Sequence, residues 1–169
     1  MAKNADQAVQ TLVDLIDEAY DHTAWHGPNL KSALRGVTAE MAAWTPEQGR
    51  HSIREIVLHA AYWKHQVRRR LSKSNVPAFP ARGYNWFSFQ KGSGEWNERA
   101  WKSLRVLLEG QHRDLRQAVA GLSAVHLASP AGRKGQSVTD NVVGVALHDV
   151  YHAGQIQLLK RLMQGSKQS

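Results

Sequence analysis

His148-Asp149-Val150-Tyr151-His152-Ala153-Gly154-Gln155-Ile156 decides how this chain is read. On a helix advancing about 100° per residue, His148 and His152 stand roughly 40° apart. Val145, Gln155, Ile156 and Leu159 fall in the same sector, so both imidazoles belong to the apolar face and point inward. Two neighbouring imidazoles in an apolar core are costly unless something satisfies their nitrogens. A shared cation does so; hydrogen bonds to other core side chains are the alternative.

Working outward, this last helix starts behind Ser137, with Asp140 three residues on, and runs to about Met163; Leu162 is assigned to its stripe. Three further segments carry helical periodicity. The first runs from about Ala5 to Trp25, with Val9, Leu12, Val13, Ile16 and Tyr20 on one face. It stops at Gly27-Pro28, and a short piece from Pro28 to Leu34 follows, since proline suits a first helical turn. The second long helix opens with Ser52 and Glu55 in capping-box spacing and buries Ile53, Ile56, Ala60, Trp63, Val67 and Leu71. The third runs from about Glu95 to Gly121 on Ala100, Leu104, Leu108, Leu115 and Val119, with Gly121 as its stop.

No strand-like alternation competes, so the expected fold is all-α, a four-helix bundle in a single domain over residues 1–169. Ser72 to Gly94 is long for a bundle connection, and such loops tend to carry function. Its Phe79, Tyr84, Trp86, Phe87 and Phe89 are too many aromatics for a disordered linker, so it reads as a packed lid. The stretch from Ser123 to Gln136 reads as an ordinary loop.

The chain has nine histidines and no cysteine, so any metal must rest on nitrogen and oxygen ligands. Chance alone gives roughly half an i,i+4 histidine pair at this frequency. His22 and His26 form a second such pair, but His26 precedes Gly27-Pro28 at a helix end. A place lining the site suits His26 better than a ligand role. Beyond His152 there is no Asp, Glu, His or Cys, so a third ligand must come from upstream. His59 lies at the edge of the second helix's stripe, about 40° from Trp63, and is the best candidate.

His148-Asp149-Val150-Tyr151-His152 is not a zinc-protease motif: Asp149 stands where that motif has glutamate, and the downstream third ligand is missing. Asp149 is also turned about 100° from His148. Asp149, Gln155 and Tyr151 are candidates to orient ligands from behind the metal, Gln155 having the best placement. Trp63, Trp86 and His26 are candidates to line a substrate.

The formal charge is +8, yet the basic residues are dispersed, and only Arg68-Arg69-Arg70 is a run, at a helix end where cations suit the dipole. A solvated face and an anion-binding surface both remain open. The N-terminal stretch lacks the apolar run of a signal peptide and no membrane-length apolar segment exists, so a cytoplasmic protein without a membrane partner is expected.

The His148–Ile156 stretch resembles the His-x-x-x-His-x-Gly-Gln signature of the DinB/YfiT-like superfamily. His51-Ser52-Ile53-Arg54-Glu55-Ile56-Val57-Leu58-His59 is similar to that family's second helix, whose histidine completes the triad. Trp25-His26-Gly27-Pro28 and Trp44-Thr45-Pro46 resemble stretches of one branch. The resemblance implies a four-helix bundle holding zinc or nickel on His59, His148 and His152, often as a homodimer. It also implies, for some members, S-transfer or isomerisation with a low-molecular-weight thiol. A metal ion promotes loss of a proton from a thiol or water it holds, giving a nucleophile at neutral pH. The leading expectation is therefore a metal-dependent thiol S-transferase acting on small electrophiles. A metal-dependent hydrolase and a basic stress-response protein binding nucleic acid are the rivals.

Overall fold

The computed structural model describes residues 2–72, 76–87, 89 and 95–166, apart from the side chains of 2–6 and 166. The fold is all-α: α1 (Ala2–Tyr20), α2 (Leu30–Ala33), α3 (Ala39–Ala43), α4 (Ile53–Leu71), α5 (Glu98–Ala120), α6 (Ala124–Leu127) and α7 (Val138–Ser166). Among the described residues there is no strand, only isolated bridges at Tyr84–Trp86 and Pro130–Ser137. None of these helices is long and apolar enough to cross a membrane.

Each long helix packs against two others: α4 lies on α5 and α7, and α1 lies on the other sides of the same two helices. The apolar stripes face inward, with Ile16, Ile53, Leu108, Leu115 and Ile156 almost completely buried. Removing that much apolar surface from water supplies the main drive for the packing. Leu162 is an exception to the expected stripe, at 45% exposed; Met163, two turns beyond Ile156, takes the inward place.

Local chemistry sets the helix ends. The Ser52 hydroxyl caps the Glu55 amide and the Glu55 carboxylate returns to Ser52, completing the capping box before α4. The first helix stops at Tyr20 rather than Trp25, because Asp21 and His22 both fold their amides back to the Asp17 carbonyl. Asn29 then donates to the His22 carbonyl and accepts from Ser32, closing one helix end and capping α2. Trp25, left outside, is fully exposed. The third long helix begins at Glu98 rather than Glu95, since the Asn97 side chain accepts from Arg99 and Ala100. The short helix α6 lies within the stretch from Ser123 to Gln136 that reads as an ordinary loop, and α3 lies between Leu34 and Ser52, where the sequence reading assigns no element.

Between α4 and α5, Tyr62 meets Phe79, Tyr84 and Phe87 edge-on at 5.5, 5.9 and 5.3 Å. The Arg54 guanidinium sits over Phe89 and Trp96 at 4.6 and 5.0 Å. The described residues of this connection from Phe79 to Phe89 are thereby laid over the N-terminal half of α4, where His59 lies.

Candidate metal centre

α4 and α7 pack directly together, and this brings His59 of one beside His148 and His152 of the other. One ring nitrogen from each lies within 4.8 Å of the others. The Nε2 atoms of His59 and His148 are 2.9 Å apart, and those of His152 and His148 are 3.0 Å apart. His59 and His152 are buried, His148 half-buried.

The opposite edges of the rings fix the tautomers. His59 Nδ1 donates to the Asn85 carbonyl at 2.8 Å, and that oxygen can only accept. His152 Nδ1 donates to Gln155 Oε1 at 2.6 Å, and Gln155 Nε2 donates to the Tyr151 hydroxyl at 2.9 Å. Both rings therefore turn an Nε2 lone pair toward His148. A single N–H on His148 Nε2 could serve only one of them, while its Nδ1 is buried without a partner among the described residues. Three imidazoles converging on one point with lone pairs inward fit a cation, and a neutral ligand ring donating its other N–H to a carbonyl is the usual support for such a site. The residues present could hold a metal ion.

Electrostatics agree. Burial pushes the His148 imidazole down to about 3, with the neighbouring His152 and His59 adding to the effect. Burial pushes His152 down to about 4, and it lowers His59 too, against the opposing pull of the Asn85 carbonyl. All three rings are neutral near pH 7, the form a metal requires.

Aromatic rings wall the centre. The Trp86 indole stacks on His59 at 3.8 Å and 3°, and on His51 at 3.6 Å and 5°. Trp63 stands edge-on to His59 and His148 at 6.4 and 6.5 Å. Asn85 ties this wall to the ligand, since its side-chain oxygen accepts the Trp63 indole N–H at 2.9 Å. Its backbone is left-handed, with φ of 61°.

The remaining candidates separate clearly. Gln155 and Tyr151 form a chain behind His152. Asp149 faces elsewhere, buried in an ion pair with Lys64. Burial pushes its carboxyl up to about 6, although the Lys64 ammonium pulls it back. His26 is exposed in the turn following α1. Asn85 and Lys64 had no sequence signal: each meets its partner only through the fold.

An all-α chain with three inward imidazoles drawn from two packed helices is a helical protein with a three-histidine site able to hold a metal ion. The sequence model of the DinB superfamily matches residues 22–156, a span that contains all three histidines, and the chain belongs to that superfamily. Searches of curated proteins and of solved structures returned no match.

Proposed function

We propose that the chain is a metal-dependent enzyme that transfers a low-molecular-weight thiol to small electrophiles, built as one four-helix-bundle domain around zinc or nickel. The observation that supports this reading best is the convergence of three Nε2 lone pairs beside two indole rings. His59, His148 and His152 would hold the ion through Nε2, using neutral ligands that leave its charge uncancelled. A divalent ion bound there supplies the positive charge that makes a thiol or water ionise near neutral pH.

The chain's own residues do the rest. Asn85 and Gln155 hold the His59 and His152 rings in one tautomer and orientation. Trp86 covers one face of His59 and limits water there, which strengthens charge interactions at the ligands. Trp63 offers an apolar ring edge beside His148 for the body of an electrophile.

The test is turnover of a chloro-aromatic electrophile with common cellular thiols, by metal-loaded and metal-stripped protein. In the expected reaction a C–S bond forms, the C–Cl bond breaks, chloride leaves and the thiol proton passes to solvent. A rate requiring both metal and thiol supports the reading; turnover by water without thiol favours a hydrolase, and no metal-dependent rate with any thiol overturns it.

A further inference from the structure

One cleft adjoins the triad without being part of it. It is about 130 Å³ in volume and runs between α4 and α7, with His148 at one end and Arg70 and Asn141 at the other. His148 lies seven positions after Asn141, so the cleft spans about 10 Å along α7. Trp63, Val67 and Val145 form apolar walls. Gly144 lies along it one turn before His148, and a Cβ built there meets nothing within 4 Å among the described residues. The glycine leaves that stretch of the cleft open.

Arg70 is seated with care. Its Nη1 donates to Asn141 Oδ1 at 2.8 Å, and its guanidinium lies 5.6 Å from the Trp63 ring centre. Asn141 is itself held, donating to the Ala131 and Ser137 carbonyls at 2.8 Å. Gly132, with φ of 80°, comes so close that a Cβ there would stand 3.0 Å from Arg70 Cδ. The neighbouring Arg68 is neutralised by Asp114 at 2.6 Å. Arg70 has no carboxylate within ion-pairing distance among the described residues; its partner is a neutral amide. Asp140 also lines the cleft, but its Oδ2 is engaged by the Ser137 amide and hydroxyl. A guanidinium fixed by a neutral amide and an indole keeps N–H donors for an incoming anion.

We propose that this cleft binds a small organic acid: a carboxylate on Arg70, an apolar stem along Trp63, Val67 and Val145, and the far end at His148. With one cation and an acidic side chain in its lining, the cleft suits a singly charged carboxylate rather than a phosphate dianion. The inference rests on the reading of the triad as a reactive metal centre in one respect only, that the acid is its substrate; the binding stands on the cleft.

The experiment is calorimetric titration of metal-loaded, full-length protein with 3-phenylpropanoate and with its neutral primary amide. The parent, Arg70→Gln and Gly144→Leu are compared, with metal content and helical circular dichroism read on each preparation. The acid is expected to bind the parent more tightly than the amide. Arg70→Gln is expected to weaken the acid about tenfold or more and leave the amide unchanged. Gly144→Leu, which extends a side chain into open space, is expected to fold normally and block both ligands. Equal binding of acid and amide, unchanged acid affinity in Arg70→Gln, or no binding to the parent overturns the proposal. A cleft that fails while metal remains bound leaves the metal reading standing; Arg70-dependent acid binding to a protein that takes no metal sinks that reading and keeps the cleft.

Discussion

The backbone carbonyl of Asn85 accepts the Nδ1 proton of His59 while its side-chain oxygen accepts the indole proton of Trp63, so one loop residue holds a candidate ligand and its aromatic neighbour. Because φ there is 61°, a conformation that a β-branched residue adopts only under strain, the loop cannot be rebuilt freely around the histidine. Asn85→Gly keeps both the backbone form and the carbonyl, and its metal affinity should stay close to the parent's. Asn85→Val should lose about tenfold or more by displacing the carbonyl. Chelator competition measures both; equal losses would mean that the side-chain bond, not the carbonyl, sets the ring.

Behind His152, Gln155 plays the corresponding part from within α7. Gln155→Leu preserves helix propensity and size but removes the acceptor, so metal affinity should fall about 10- to 100-fold with helicity unchanged. Tyr151→Phe, which deletes only the outer hydroxyl, should cost much less. A Gln155→Leu protein that binds metal like the parent would show that His152 needs no such support.

Lys64 and Asp149, each 1% exposed, join α4 to α7 through a buried ion pair. Asp149→Ala leaves an ammonium unpaired in the core and should cost about 3–5 kcal/mol in urea unfolding. The double variant Lys64→Met with Asp149→Leu removes both charges and should recover most of that loss. Equal destabilisation by the single and double variants would place the defect in packing rather than charge.

Acid should destabilise the metal-free protein. The folded state holds His148 at about 3 and His152 at about 4, whereas an unfolded histidine titrates near ~6.5. As pH falls below about 6.5 the unfolded chain binds protons that the fold refuses, so stability declines until the folded values are reached. By pH 4 the loss should be on the order of a few kcal/mol. Asp149, pushed up to about 6, acts with the opposite sign below that pH and offsets part of it. Urea midpoints of apo-protein at a series of pH values read this directly; a flat series from neutral to pH 4 would contradict it.

What could be read from the sequence followed local periodicity. The stripes of α4 and α7, the Ser52–Glu55 capping box and the inward placement of His148 and His152 are all relations within a few turns. His59 could be reached because the chain beyond His152 offers no other ligand. The end of α1 could not, since Trp25 prolongs the apolar pattern and only the amide bonds to Asp17 and the Asn29 contact reveal the stop. Asn85 lies 26 residues from His59 and Lys64 lies 85 from Asp149; no spacing rule links such pairs. The helix angle turned Asp149 away from His148, but the lysine that meets it belongs to another helix.

The central claim is that His59, His148 and His152 jointly hold one ion. Elemental analysis of untagged protein purified without chelator, beside His59→Ala and His152→Ala, tests it most directly. Near-stoichiometric zinc or nickel in the parent, lost in both variants while helical circular dichroism persists, is the expected result. A parent that holds no metal even after reconstitution, or variants that hold it as well as the parent, would contradict the account.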